Sequence, residues 1–445
     1  MKLRGLMVAI VVLAGLTGAL YWSNRQKPAG TAEASADAPP KILTLKQEDI
    51  SKIDLKKKGG DELVLAKDGS GKWQITAPQA LGVEQSTVSP LLSSLSTLTS
   101  ERLVEEKASD LGQYGLSDPA LVATITEKNN KTHELLLGDQ TPAGSAVYAK
   151  LDGDPRIFII ASYNKGNIDK SVNDLRDKRL LTVDADKISK VELIAKKEDI
   201  EFGRNKDGWQ IVKPKPLRAD GPQVEELVRT LSDARMDLSG AAQDAKTIMS
   251  AFAAFASAAP VATARVTAES GTQELQVRKN KDDYYAKSSA VEGVYKVAGT
   301  VGKGLDKGLE DFRNKKLFDL GFSEPNKIEI HDGAKNYFLT RGGDNWWNGS
   351  GKKLDIESAQ SVVDKIRDLS ASKFVDSGFT MPAIELTVTS NDGKKVEKVQ
   401  VARKDAAYIA RREGDVSLYE VDAQAVTGLE QAAEEMKIAA APPSK

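Results

Sequence analysis

At 445 residues the chain is long enough for two to four domains, each able to bury a core of its own. Its 63 lysines and arginines balance 64 aspartates and glutamates to a net charge of −1. That balance argues against a general nucleic-acid binder, which needs a basic excess to neutralise phosphates. The absence of cysteine excludes disulfides, thiolate catalysis, cysteine-ligated zinc or iron–sulfur centres, and lipid attachment through an N-terminal cysteine.

Residues 5–22 form one uncharged apolar stretch from Gly5 to Trp22. At about 1.5 Å per helical residue it spans about 27 Å, enough for a hydrocarbon core. Lys2 and Arg4 precede it, and Tyr21 and Trp22 stand where an interfacial aromatic belt belongs. Bulky Leu20, Tyr21 and Trp22 make a poor signal-peptidase site. The segment therefore reads as a transmembrane anchor over residues 1–25, with the bulk of the chain outside the cytoplasm at the inner membrane. Residues 26–41 shift to Pro, Ala, Gly, Ser and Thr and read as a flexible linker.

Beyond the linker the chain repeats itself. Lys72-Trp73-Gln74-Ile75 returns as Gly208-Trp209-Gln210-Ile211 and, more loosely, as Asn345-Trp346-Trp347-Asn348, with the tryptophans 136 and 137 residues apart. So long a shared spacing predicts tandem copies of a domain: unit 1 over 42–182, unit 2 over 183–320, unit 3 over 321–438, and a disordered tail over 439–445. Each copy opens with a strand of alternating pattern (Ile50 to Leu55, Ile188 to Leu193, Asn326 to Ile330). A second strand, a Gly/Asp/Asn turn and the tryptophan strand follow. A helix comes next, its apolar positions spaced i, i+3, i+4, i+7, i+10: Val88, Leu91, Leu92, Leu95, Leu98; Val224, Leu227, Val228, Leu231, Ala234; Ala359, Val362, Val363, Ile366, Leu369. Asp220 and Asp355 stand at N-cap positions, and Pro90 requires the first helix to begin close before it. Four further strands follow in each copy. A closing helix is expected around Asp174–Leu180 and Asp311–Leu317, and around Leu429 to Met436 in the third. The fold class is therefore α+β: three tandem antiparallel-sheet units with packed helices, preceded by one transmembrane helix.

Chemical signatures are sparse. His133 and His331 lie in non-equivalent places, without a second histidine or clustered carboxylates at metal-ligand spacing. Gly299-Thr300-Val301-Gly302-Lys303-Gly304-Leu305 has two glycines at P-loop spacing, but Leu305 replaces the phosphate-binding lysine, so a turn is expected there. The Asp-x-Arg motifs, Asp174/Arg176 and Asp311/Arg313, suggest arginines that pin one copy to its neighbour. The tryptophans, Trp73 and Trp209 among them, read as buried anchors of their sheets; Trp346-Trp347 is the exception, because two adjacent strand residues point to opposite faces. One of the two is thus available to pack against another copy or to stack on a sugar or partner. No catalytic residue, cofactor or metal site is expected.

One element is more specific. Leu111-Gly112-Gln113-Tyr114-Gly115-Leu116-Ser117-Asp118-Pro119-Ala120, then Leu137-Gly138-Asp139-Gln140-Thr141-Pro142 and Val147-Tyr148-Ala149, resemble the bacterial proteins grouped as domain of unknown function 4340. The resemblance is sharpest over residues 45–185 and marks Tyr114 as an interaction candidate. It implies a single-span membrane protein, in some members accompanying an ABC-type transport system of the gliding-motility kind, and it brings no catalytic residues. The expected function is that of a non-enzymatic accessory or scaffold of an envelope complex such as an ABC-type transporter. The alternatives are a periplasmic glycan- or peptide-binding module and a hydrolase on an unrecognised scaffold.

Overall fold

The structure, a computed structural model, describes residues 40–60, 62–239, 245–321 and 324–440. The expected anchor over 5–22 and nearly all of the linker lie outside the described residues. No described helix is long and apolar enough to cross a membrane. The chain divides into two compact units, Met1–Asp177 and Lys178–Lys445.

The fold is α+β and its sheets are antiparallel. The first unit holds a nine-stranded sheet in the order Leu81–Gly82, Trp73–Ala77, Glu62–Lys67, Ile50–Lys57, Leu121–Glu127, Thr132–Gln140, Ala146–Leu151, Ile157–Ala161, Arg102–Glu105. The second unit holds two eight-stranded sheets. One runs Leu217–Arg218, Gly208–Lys213, Glu198–Asn205, Lys190–Ala195, Ala259–Ala268, Gly271–Asn280, Asp283–Ser288, Val294–Val297. The other runs Asn345–Asn348, Lys335–Gly342, Pro325–Asp332, Ile384–Ser390, Lys395–Lys404, Ala407–Arg412, Leu418–Val421, Ala371–Val375. One order underlies all three: a descending meander, a helix, then an ascending meander whose first strand pairs with the first strand of the descending one. Alternating sequence suffices to build it, because each strand turns one face to a core and the other outward.

The helices Gln85–Ser96, Gly221–Ser232 and Ile356–Asp368 bury Val88, Leu91 and Leu95, then Val224, Leu227, Val228 and Leu231, then Ala359, Val362, Val363 and Ile366. Each lies in the separate core of its own sheet. Asp220 Oδ1 accepts from Gln223 N at 3.2 Å and Asp355 Oδ1 from Ser358 N at 2.9 Å, the two expected N-caps. Pro90 sits one turn deeper than a first-turn proline, since the helix begins at Gln85. The carbonyl it leaves without a donor belongs to exposed Ser86, where water can reach it.

Two local expectations are corrected. The closing helix is only Val172–Leu175 in the first copy and a single 3₁₀ turn, Leu309–Asp311, in the second. Asp174 and Asp311 accept from the backbone N–H of Ser171 and Gly308, both at 2.8 Å, which caps the N-terminus of each short helix. The chain then runs extended, and Val83 bridges Arg176, Ala219 bridges Arg313, and Leu354 bridges Ile438. The stretch Gly299–Leu305 is a helix, not a turn. Its glycines serve packing: a Cβ at Gly302 would lie 2.0 Å from the Tyr284 ring, so only a bare backbone fits there. A further helix, Ala245–Ser257, had no forecast.

The chain also pairs just beyond each closing bridge. Leu180 N donates to Ala234 O and Met236 N to Lys178 O, both at 2.8 Å. Leu317 N donates to Leu369 O at 3.0 Å and Ala371 N to Lys315 O at 2.8 Å. In the first unit the same place, after the helix, is held by Lys41–Thr44 pairing with Thr97–Thr99.

Candidate functional site

The tryptophans of the repeated strand are buried: Trp73 is 5 % exposed, Trp209 6 % and Trp346 3 %. Each carries a cation from the preceding strand over its ring, with Lys67 at 5.1 Å, Arg204 at 5.5 Å and Arg341 at 6.0 Å. Polar anchoring differs between copies. Gln85 brackets the Trp73 backbone, accepting from its N–H at 2.9 Å and donating to its carbonyl at 2.8 Å. The Trp209 indole instead donates to Glu225 Oε1 at 2.9 Å. A buried indole needs such a partner for itself or its strand. Trp347 points the other way and is 38 % exposed.

Tyr114 lies in a small second core on the outer side of the first sheet, with Leu116 and Ile157. Its hydroxyl donates to Glu105 Oε1 at 2.6 Å and its ring meets Tyr148 at a centroid distance of 4.9 Å. The hydrogen bond to Glu105, then burial, pushes the Tyr114 hydroxyl up to about 12, so it stays a donor at neutral pH. The two glycines of the motif make the contact possible. Gly115 adopts φ +66°, and a Cβ there would lie 2.5 Å from the Asp139 carboxyl carbon. A Cβ at Gly138 would lie 2.2 Å from the Tyr114 carbonyl. Residues 111–120 and 137–142, far apart in the chain, are thus docked backbone to backbone.

The arginines meet different surroundings. Arg176 is buried in the first unit, in its bridge with Val83. Arg313 crosses from the second sheet to the third. Its guanidinium lies 3.4 Å from the centre of the Phe374 ring, donates to Ser417 Oγ at 3.0 Å and pairs with Glu310 at 2.8 Å. Beside it runs a larger joint that the sequence did not signal. Arg218 donates to the Lys316 carbonyl at 2.9 Å, to Tyr419 Oη at 3.0 Å and to Asp319 Oδ2 at 2.5 Å. Arg412 donates to Glu397 Oε1 at 2.9 Å and to the Leu317 carbonyl, and Asp319 N donates to the same Glu397 oxygen at 3.1 Å. Tyr419 in turn donates to Asp415 at 2.5 Å.

Burial opposes ionisation of Asp319, but the Arg218 guanidinium outweighs it and holds the carboxyl below the usual range. Burial first, then the hydrogen bond to Asp415, pushes the Tyr419 hydroxyl up to about 12. At neutral pH the joint is therefore a fixed set of charge-assisted hydrogen bonds, and its chemistry is attachment. The partners of Arg218 lie 98 to 201 residues from it in the chain, and Arg218 has Gly82 and Lys353 as counterparts, so recurrence could not reveal the joint.

The histidines are engaged locally: His133 Nε2 lies 2.9 Å from Glu127 Oε1, and His331 Nδ1 meets Asn336. Among the described residues no group of three or more His, Asp or Glu is placed to hold a metal. A cleft of about 310 Å³ on the second sheet is lined by Asp237, Leu238, Ile248, Tyr285, Tyr295 and Lys296. Asp237 is committed there to Ser239 and Lys296 to Asp283, at 2.5 Å and 2.7 Å.

No curated protein and no solved structure matches the chain. The family described as Domain of unknown function (DUF4340) matches over residues 73–210 and again over 209–392. The two matches meet at the second tryptophan strand and together span most of the chain, so the protein belongs to the DUF4340 family.

Proposed function

We propose that the protein is a membrane-anchored, extracytoplasmic and non-enzymatic accessory or scaffold of an envelope complex, an ABC-type transporter being the partner to test first. In this reading residues 5–22 anchor the chain in the inner membrane, residues 26–41 hold the rest clear of it, and three tandem copies present the binding surface. The observation that carries the reading is the joint in the second unit. Arg218, Arg313, Asp319, Glu397, Arg412 and Tyr419 are spent on fastening one sheet to the next. A protein whose buried charges lock modules together suits holding other components at fixed positions.

The test is crosslinking and co-purification from native membranes, comparing the full chain with one lacking residues 1–40. Transporter membrane subunits recovered with the full chain and lost with the truncated one would support the reading. Recovery of the chain alone, under conditions in which known membrane complexes survive, would refute it.

A further inference from the structure

The outward face of the third sheet differs from its counterparts in the other two. Phe338 and Trp347 stand on it, 37 % and 38 % exposed. The corresponding positions carry Val64 and Gln74 in the first copy and Glu201 and Gln210 in the second. Trp347 pairs with Thr340 across the strands, and the same register sets Phe338 opposite Gly349. Each ring leans on a glycine. A Cβ at Gly349 would lie 3.2 Å from the Phe338 ring, and one at Gly342 would lie 3.2 Å from Trp347 Nε1. Both aromatic rings therefore rest against bare backbone and are partly open to solvent, and the Phe338 ring also meets the His331 ring edge-to-face at a centroid distance of 5.6 Å.

We infer that this face binds a glycan, with Trp347 and Phe338 as its stacking platform. An aromatic face carries negative charge density and attracts the weakly positive C–H bonds that line one side of a pyranose ring, while the hydroxyls at the ring's edge need donors and acceptors. Those lie beside the rings: Thr340 between them, and Lys327, Glu329 and His331 on the adjoining strand. Lys327 is charge-paired with Glu329 and His331 is hydrogen-bonded to Asn336, which suits a neutral polyhydroxy ligand better than an acidic one. An extended peptide adding to the sheet is disfavoured by the edge itself. The outer hydrogen bonds of Asn345–Asn348 are already taken, with Leu354 N donating to the Trp346 carbonyl at 2.8 Å and Asn348 N to the Lys352 carbonyl at 2.9 Å.

This inference goes beyond the scaffold reading and does not depend on a transporter partner. Its test uses the full chain, purified peptidoglycan sacculi in a co-sedimentation assay, and a soluble β-linked N-acetylglucosamine hexamer titrated against tryptophan fluorescence. W347Q and F338V install residues that occupy these positions in the other copies, so the fold should tolerate them, and thermal melts check that it does. Each should weaken binding about tenfold or more, in line with loss of a central aromatic contact, while Y163A on the first unit should leave it unchanged. Absence of wild-type binding to both glycans would overturn the inference, as would undiminished binding by the folded W347Q protein.

Discussion

Replacing Arg412 with alanine should destabilise the third sheet by about 3 kcal/mol. The side chains of Arg412 and Glu397 are 11 % and 6 % exposed, so neither charge is solvated when its partner is removed. R412A deletes the 2.9 Å bond to Glu397, the donor to the Leu317 carbonyl and an attraction to Asp319 at 3.7 Å. Breaking a buried pair from one side costs about 3–5 kcal/mol. The lower figure applies because Lys395 stays 3.3 Å from Glu397 and the Asp319 N–H still donates to it. The double variant E397M/R412M removes both charges and keeps the volume, so it should recover about 2 kcal/mol of the loss, the remainder being the Asp319 N–H left without its acceptor and the Leu317 carbonyl without its donor. Urea unfolding would measure the total. Hydrogen exchange over Lys395–Lys404 and Ala407–Arg412 would show whether the loss is local to these strands. If the double variant is as unstable as R412A, packing and not charge holds the joint, and the reasoning fails.

Two further outcomes follow from the first unit. G138A should cost about 2 kcal/mol or more, because its methyl group would lie 2.2 Å from the Tyr114 carbonyl and backbone cannot yield as a side chain can. G166A, with nothing within 4 Å, is the control; equal melting temperatures for the two would refute the close docking. D54N should stabilise the protein at pH 7 and lose its effect in acid. Burial, then the neighbouring Glu62 carboxyl, raises the Asp54 carboxyl to about 6, so the folded state resists its ionisation. That penalty is absent below the unfolded pKa of about 4, grows between the two values and is complete above about pH 6, worth about 1 kcal/mol after solvent screening. Stability curves of D54N and wild type that stay parallel from pH 4 to 7 would contradict it.

The elements with strong periodicity were legible in the sequence. Val88, Leu91 and Leu95 and their counterparts face the cores as their spacing requires, and the strand Ile50–Lys57 covers the alternating run Ile50 to Leu55. What escaped has physical reasons. The Ala245–Ser257 helix is alanine-rich, with Phe255 its one large buried side chain among the described residues, so its pattern has little contrast. Three glycines made Gly299–Leu305 look like a turn, because glycine reports backbone freedom and close packing with the same letter. Asp-x-Arg looked like part of a longer helix, yet its aspartate, bonding back to Ser171 or Gly308, marks a helix start, and the chain leaves the helix within a turn of it. The joint was invisible because Arg218, Asp319, Glu397 and Tyr419 are polar residues brought together only by the tertiary fold. Family resemblance located Tyr114 and Gly138, but their contact emerged only from the geometry.

The closing bridges have one more consequence. Even a short edge strand such as Leu81–Gly82 or Leu217–Arg218 has backbone groups with which another chain could pair, though its length already limits that. Here the same copy supplies the segment that covers it, Asp177 N donating to the Gly82 carbonyl and Asn314 N to the Arg218 carbonyl. The compact units part between Asp177 and Lys178, immediately after the first cover. A protease cut at that point would leave the edge protected, whereas a cut before residue 170 would strip the cover away. Duplication or deletion in steps that respect this boundary carries the protection along with the copy, so such a lineage could change its number of copies without passing through a sticky intermediate.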